Sequence, residues 1–563
     1  MEQSVFSRTI MLDKYSHRLP DGTQEDWPQI AHRVAVHVMG AVNAPESLVA
    51  RVEAAILAKK FVPGGRYLYA SGRSLHQVQN CLLMKARDSR EGWSELLYKS
   101  SMALMTGAGI GVDYSGIREE GANIARTGGK ATGPTALMQM LNEVGRGIMQ
   151  GGSRRSAIWA GLNWSHADIQ KFISLKNWSP EVRAMKERDY NFPATMDGTN
   201  ISVGLDDDFF DAYRDSSHPN HSLAHGVYWS TLRSMLKTAE PGFSINVGEN
   251  RNETLRNACT EITSEDTDDI CNIGSLNLAR IDSLEEMTDL VELGTAFLLA
   301  GSVYSDVPYD DVAVIRAKNR RLGLGLMGVH EWLLKHGKRY GPDSELEKYL
   351  RIYATSTGVA VSYAGLWQLS APVKTRAIAP TGSIGFVAET TTGIEPLLCV
   401  AYKRRYLKGH TVHYQYVVDP CAARLIAQGV DPDSIEDAYS LAEDVERRVS
   451  FQAWVQQYVD HGISSTINLP PWGSELNNDG RVQEFGTMLL KYLPKLRGMT
   501  VYPDGARGGQ PLTPVRYATA IKHLGKVFVE GEEAGGLRFS GSDAEAAAPL
   551  DVCDITKGGS CGS

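Results

Sequence analysis

Seven cysteines in 563 residues are too few, and odd in number, for a disulfide framework. Each thiol is left to packing, metal binding or redox chemistry. Excess positive charge is also missing: 58 Lys and Arg stand against 66 Asp and Glu, a net charge of −8. A nucleic-acid binder gains affinity by releasing counterions to clustered cations, so that class is not expected, whereas small anionic ligands stay open. Long apolar runs are absent too. The most apolar stretch, Leu293 to Tyr304, falls short of the roughly 18 residues that cross a bilayer, and no membrane span is expected. Met1 to Tyr15 carries charges throughout and has no apolar core with a small-residue cleavage site, which leads us to expect a cytoplasmic protein.

What is present is enough apolar content for a sizeable core, 42% hydrophobic against 22% charged. At about 150 residues per domain this means three or four domains, or one large α/β barrel with appendages. From Thr23 to Lys60 the pattern is helical, with Trp27, Ile30, Ala31, Val34 and Val38 on one face and Pro28 where a first turn tolerates it. Phe61 to about Gly204 mixes short apolar runs with dense glycine, so its backbone has to turn tightly or approach a ligand closely. Long helices are expected over Ser344 to Leu369 and Asp433 to Asp460, and strands over Thr199 to Val203 and Gly498 to Tyr502. That alternation indicates an α/β chain. The run Gly107-Ala108-Gly109-Ile110-Gly111 looks like a dinucleotide fingerprint, but no acidic residue closes a βαβ unit about 20 residues on, and it reads as barrel backbone. After Gly531 the composition turns to Gly, Ala, Ser and acid, a tail expected to be flexible because it has little apolar surface to offset its ordering entropy.

Two features of the cysteines point to chemistry. Asn257-Ala258-Cys259-Thr260-Glu261 is followed by Cys271 in Asp269-Ile270-Cys271-Asn272-Ile273-Gly274-Ser275-Leu276-Asn277-Leu278. In an extended loop, residues i, i+2 and i+4 project to one side, so Asn257, Cys259 and Glu261 present an amide, a thiol and a carboxylate to one ligand. The same motif also fits a cysteine packed as a small hydrophobe beside a turn. The second feature is Cys553 and Cys561 at the end of the tail. A flexible linker of about 30 residues reaches roughly 30 Å, enough for these thiols to carry electrons to a buried site on the same or a neighbouring subunit. Zinc is the poorer alternative, since a pair of cysteines without a nearby His does not make a four-ligand site, and no metal site is expected.

Taken in order, several segments resemble the catalytic chain of ribonucleotide reductases: Asn257 to Glu261, Cys271 with its Asn-x-Gly-Ser-x-Asn-Leu context, Arg320-Arg321-Leu322-Gly323-Leu324-Gly325-Leu326-Met327-Gly328, Ala379-Pro380-Thr381-Gly382-Ser383-Ile384, Gly393-Ile394-Glu395-Pro396 and the C-terminal thiols. The similarity runs from about Phe61 to the end. It implies a ten-stranded α/β barrel over residues 61–530 with a cysteine-bearing finger loop at its centre, a helical N-terminal layer over 1–60, and a redox tail over 531–563.

The resemblance also implies roles. Cys259 becomes a thiyl radical that abstracts the substrate's 3′-hydrogen, Glu261 takes the 3′-hydroxyl proton while the 2′-hydroxyl leaves as water, and Asn257 orients the ribose. The barrel interior excludes water from this step. Two electrons come from a pair that closes to a disulfide, Cys271 matching one member and Cys81 the other. Cys553 and Cys561 re-reduce that pair by thiol exchange, supplied by a thioredoxin- or glutaredoxin-like protein. Cys399 and Cys421 match no role and are expected to be structural. Pro380, Thr381, Gly382, Ser383 and Ile384 resemble the phosphate-binding turn of the family, with Arg66 either assisting or lying on the surface. Thr127 to Pro134, with Lys130, and Gln150 to Ala160, with Arg154 and Arg155, resemble the two loops through which a deoxynucleotide effector tunes base choice. Because the chain begins almost at the helical layer, the N-terminal domain that lets many relatives sense ATP against dATP is not expected.

Members of the family differ in their radical source. Thr500-Val501-Tyr502-Pro503-Asp504-Gly505-Ala506-Arg507 holds one tyrosine, where relatives fed by a metal-containing beta subunit usually carry two adjacent ones. The pattern resembles the adenosylcobalamin-dependent group, which is the expected cofactor. A compact branch that uses a beta subunit is the alternative, with Tyr502 then a station on a radical path. The glycyl-radical type is disfavoured by Glu261 and the tail thiols. Whether substrates are di- or triphosphates, and whether the chain is a homodimer, is left open. Two further readings are a silent nucleotide-binding relative, against which the full set of cysteines argues, and a cysteine hydrolase, for which no local nucleophile signature exists.

Overall fold

The computed structural model describes residues 4–151, 154–189, 192–408, 411–506, 512–530 and 537–540. The helical layer consists of Val5–Lys14, Trp27–Gly40 and Glu46–Leu57. A capping box starts the second helix: Gln29 N–H donates to Asp26 Oδ1 (3.0 Å) and Asp26 N–H to Gln29 Oε1 (2.9 Å). Pro28 sits in its first turn, and Trp27, Ile30, Ala31, Val34 and Val38 are buried on one face, as their spacing predicts. The helical run of Thr23 to Lys60 is nevertheless two helices, because Asn43 takes a left-handed φ of 50° and Pro45 caps the second.

Nine strands follow, β1 (Cys81–Lys85), β2 (Gly109–Asp113), β3 (Ile158–Asn163), β4 (Thr199–Asp206), β5 (Gly242–Asn246), β6 (Asp269–Asn277), β7 (Leu322–Met327), β8 (Thr466–Leu469) and β9 (Gly498–Pro503). Strands β1 to β5 run parallel in chain order. The second half is also parallel: β6 pairs with β7, Leu324 of β7 bridges Arg376, Ile378 bridges Ile463 just before β8, and β8 pairs with β9. The halves meet antiparallel at two seams, Cys81 opposite Cys271 and Phe243 opposite Met499, which closes the ring. These nine strands and Phe61–Pro63, which pairs antiparallel with β6, form the ten-stranded sheet, and the extended residues 376–378 bridge β7 to the approach to β8 as the remaining stave of the expected barrel.

Strand alternation sorts the side chains. Cys81 and Leu83 of β1, Cys271 and Ile273 of β6, and Ala377 and Ala379 pack together with Leu255 and Ile262 of the loop inside the ring. Their neighbours Leu82 and Met84 face the outer helices instead. The apolar stretch around Leu293 lies in a 21-residue helix, Leu284–Tyr304, buried between barrel and helical layer. Among the described residues no helix is long and apolar enough to cross a membrane.

Two of the expected long helices are shorter. Ser344 to Leu369 breaks into Ser344–Tyr353 and Ser356–Leu366, where the Arg376 guanidinium takes the Ala354 carbonyl (3.1 Å). Of Asp433 to Asp460 only Val445–Gln456 is α-helix, preceded by short 3₁₀ turns. There Asp437 Oδ1 accepts from the backbone N–H of Tyr439 (3.1 Å) and Ser440 (2.8 Å), a local alternative to helix hydrogen bonding. Outside the barrel an antiparallel five-stranded sheet runs in the order Leu512–Pro514, Ala401–Lys408, Thr411–Val418, Val527–Glu530, Leu537–Ser540. Its last strand falls within the segment read as tail. Cys553 and Cys561 lie outside the described residues.

Candidate active site

Between β5 and β6 the chain re-enters the ring as a short hairpin, Leu255–Arg256 paired with Thr263–Ser264. Its tip is not the extended loop predicted. Thr260 N–H donates to Asn257 O (3.0 Å), Thr260 adopts φ 69°, and Asn257 Oδ1 accepts from Ile262 N–H (3.0 Å), so the tip is a closed turn. Room for it comes from glycine. A Cβ on Gly111 of β2 would lie 1.7 Å from the Arg256 carbonyl oxygen, and one on Gly462 would lie 3.0 Å from that of Thr260. The glycine run is thus barrel backbone, and its missing side chains are where the finger lies.

The tip brings the predicted residues together. Cys81 and Cys271 are directly opposite across an antiparallel seam, where Cα atoms sit about 4.5–5.5 Å apart, within reach of a disulfide. Both are free thiols, 2% and 0% exposed. The Asn257 amide donates to Cys81 Sγ (3.2 Å). Burial pushes the Cys81 thiol well above its ordinary range, and the neighbouring Glu261, Cys271 and Cys259 push the same way. Burial also raises Cys271, helped by Asp269 and Glu261 and opposed by Arg321. Both are therefore protonated thiols at neutral pH. Glu261 is fully buried, and Gly462 N–H donates to its carbonyl oxygen (2.7 Å).

Cys259 borders a cavity lined by Trp159, Ser202, Glu240, Ser464, Ser465, Thr466, Thr500 and Tyr502. Tyr502, half-buried on β9, therefore faces the same space as the sulfur. Glu240 is paired with the buried Lys176. Apart from Thr500 and Tyr502, which stand in the motif already singled out, sequence reading missed these wall residues, since nothing in their local pattern sets them apart. It also missed Arg256, whose fully buried guanidinium donates to Asn246 Oδ1 (2.7 Å) and the carbonyls of Ile245 (3.1 Å) and Arg497 (3.2 Å). Among the described residues no group of His, Cys, Asp and Glu has metal-binding geometry.

Pro380 to Ile384 leads from the extended 376–378 segment into the helix Gly382–Ala388, with Thr381 at φ 52° as its N-cap. Thr381 Oγ1 accepts from Gly393 N–H (2.9 Å), tying the turn to the Gly393-Ile394-Glu395-Pro396 segment. Glu395 in turn accepts from Thr466 N–H (2.7 Å) of β8. Arg66 is buried, not on the surface. Its guanidinium donates to the carbonyls of Gln77 (3.1 Å) and Thr106 (3.1 Å), beside Gly107 and Gly151. Lys130 is exposed on a hairpin and donates to Asn123 Oδ1 (2.7 Å). Arg154 and Arg155 form a strand paired with Met149–Gln150. Cys399 and Cys421 are buried in two separate apolar clusters.

The family model described as the ribonucleotide reductase barrel domain matches residues 79–228, 220–364 and 373–502, and the one described as the ribonucleotide reductase all-alpha domain matches 1–76. A vitamin B12-dependent ribonucleoside-diphosphate reductase of Thermoplasma acidophilum is 27% identical over 529 residues, covering 82% of this chain and 66% of the relative. One of the same name in Mycobacterium tuberculosis is 27% identical over 523 residues, covering 81% and 72%. A ribonucleoside-diphosphate reductase large chain of Schizosaccharomyces pombe is 26% identical over 356 residues, covering 55% and 43%. The chain thus spans about two thirds of the length of the first of these relatives.

Proposed function

Because this chain belongs to the ribonucleotide reductase family, we propose that it reduces ribonucleotides to 2′-deoxyribonucleotides through a thiyl radical on Cys259. The support is the convergence of Cys259, Glu261 and Asn257 on one dithiol inside a closed barrel. The thiyl sulfur takes the 3′-hydrogen atom, a reversible step because sulfur and ribose carbon radicals lie close in energy. Glu261 accepts the 3′-hydroxyl proton, and the 2′-hydroxyl leaves as water with a proton from the dithiol. Cys81 and Cys271, held as neutral thiols by burial, supply two electrons and two protons as their sulfurs join. Cys259 returns the 3′-hydrogen, so one ribonucleotide and one dithiol give one deoxyribonucleotide, one disulfide and one water. The turn Pro380, Thr381, Gly382, Ser383 and Ile384 holds the substrate phosphates, and Arg66 braces the turns at Thr106 and Gly151. Cys553 and Cys561 then re-reduce the disulfide, drawing electrons from a thioredoxin-like protein. A deoxynucleotide effector at the loops of Lys130 and of Arg154 and Arg155, and assembly as a homodimer, belong to the same reading.

For the radical source we favour adenosylcobalamin; the two relatives named above are called vitamin B12-dependent. The cavity beside Cys259 carries groups that suit its adenosyl part: Ser464, Ser465, Thr466 and Thr500 line it with hydroxyls. When bound, the cofactor supplies the one-electron oxidation of Cys259. The test is turnover by the purified chain with adenosylcobalamin and dithiothreitol and no other protein. Deoxynucleotide formation that disappears in Cys259→Ala, with nucleotide binding retained, is the expected result. Product from Cys259→Ala would reject the thiyl assignment. Wild-type silence rescued by a metal-containing beta subunit would move the radical source to that protein and make Tyr502 the relay.

A further inference from the structure

The hairpin that carries Cys259 has only two residues in each leg, Leu255–Arg256 and Thr263–Ser264. A two-strand ribbon of that size is not stable by itself, so the sulfur's position is set by whatever grips the hairpin's root. Glu253 stands two residues before the first leg, with its side chain 12% exposed. It receives Lys374 Nζ (2.5 Å), Arg497 Nη2 (3.1 Å), Arg321 Nη1 (3.4 Å) and Thr263 Oγ1 (2.8 Å). Each of the three cations stands immediately before a stave of the second half-barrel: Arg321 before β7, Lys374 before the stave containing 376–378, and Arg497 before β9. Thr263 is on the opposite leg. One carboxylate thus ties both legs of the finger to three staves at once.

The neighbouring groups add to the grip, and among the described residues only the tie to Arg321 is shared with another carboxylate. Asp269, at the start of β6, accepts from Ser264 Oγ (2.8 Å) and from Arg321 Nε (2.5 Å). His461 Nδ1 accepts from Thr263 N–H (3.2 Å). Arg497 also donates to the Ile245 carbonyl (3.3 Å) at the end of β5, so the cluster reaches the first half-barrel as well. Burial alone would raise the Glu253 carboxyl, but Lys374 and Arg497 outweigh it and keep it ionised.

Building on the assignment of Cys259 as the radical site, we propose that Glu253 is a positioning residue for that sulfur: it clamps the finger root to the second half-barrel and so sets where Cys259 stands relative to Cys81 and Cys271. Removing the Glu253 charge takes away the carboxylate paired with Lys374 and Arg497, while Arg321 keeps Asp269, and frees the hairpin. A reacting group misplaced by about 1 Å costs on the order of 100-fold in rate.

The test compares Glu253→Gln, which keeps the shape and removes the charge, with Thr263→Val, which removes the hydroxyl contacts to Glu253 and His461 Nδ1 and leaves the cations paired. Hydrogen exchange followed by mass spectrometry on the full chain reads the finger without any radical source. Exchange across 253–264 should quicken at least tenfold in Glu253→Gln and less in Thr263→Val, while 81–85 and 269–277 stay as in wild type. With the initiator that supports wild-type turnover, kcat should fall about 100-fold with KM within threefold. Oxidation of Cys81 and Cys271 by diamide should be unaltered, because barrel strands carry both. Unchanged exchange at 253–264 together with wild-type kcat overturns the clamp. Faster exchange spread evenly over the barrel overturns it too, since Glu253 would then be a general stabiliser. If Cys259→Ala keeps its activity, the radical reading fails whatever Glu253 does, so the two failures are separable.

Discussion

Gly111→Ala tests whether the finger's seat on β2 sets the catalytic geometry. The added Cβ would stand 1.7 Å from the Arg256 carbonyl oxygen and 2.7 Å from its carbonyl carbon, where ordinary contact begins at 3.4 Å. Both obstacles are backbone, so no side-chain rotation relieves them. The hairpin leg has to retreat from β2 by about 1.7 Å, the difference between 3.4 Å and the 1.7 Å available. Overpacking of this kind typically costs about 1–3 kcal/mol of stability. Displacement of the sulfur costs more in rate, on the order of 100-fold per ångström of misplacement. The assay is deoxynucleotide formation under saturating substrate, with urea unfolding alongside. Gly147→Ala is the control, since a Cβ there meets nothing within 4 Å. Expected is a kcat lowered at least 100-fold in Gly111→Ala, with nucleotide affinity near wild type and Gly147→Ala unchanged in both. A Gly111→Ala protein with wild-type kcat would refute the reasoning, because the finger would then not depend on that contact.

Two further outcomes follow from the site and the core. Asn257→Ala removes the donor to Cys81 Sγ and the acceptor for Ile262 N–H; losing two buried hydrogen bonds should lower single-turnover disulfide formation between Cys81 and Cys271 roughly tenfold to 100-fold, read by thiol titration, and an unchanged rate would sink the role. His330, fully buried with Nδ1 accepting from Leu397 N–H (2.8 Å), is held down to about 3 by burial, with Arg448 and Arg447 acting in the same direction against Glu436. An unfolded His titrates near 6.5, so as pH falls the unfolded chain takes the proton first; its contribution is complete above about pH 6.5 and drains away toward pH 3, about 5 kcal/mol at most. His330→Gln should flatten the acid limb of urea midpoints between pH 7 and 4, and an equally steep limb would show that other groups dominate.

The candidate residues were legible because motifs of distinctive type and local context carry the resemblance to the family. Cys259 with Glu261, Cys271 in its Asn- and Gly-rich strand, and the turn at Thr381 are short segments whose function depends on neighbours in sequence. Helix faces were legible for the same reason, as the buried stripe from Trp27 to Val38 shows. Helix ends were less so. The break at Ala354 depends on Arg376, and that contact does not show in a window of residues around the break.

By itself, then, the sequence determined which residues are the candidates for chemistry and that the chain is α/β, with a resemblance to the family whose models match it, since periodicity and local motifs are short-range properties. Only the tertiary structure decided that Cys81 faces Cys271 across a seam 190 positions apart, that Gly111 makes room for the finger, and that Glu253 is gripped by Arg321, Lys374 and Arg497. Those contacts arise when the two half-barrels close on one another. The closure buries charges that have to find partners, and a partner far along the chain is as good as a near one once the ring brings it within hydrogen-bond distance.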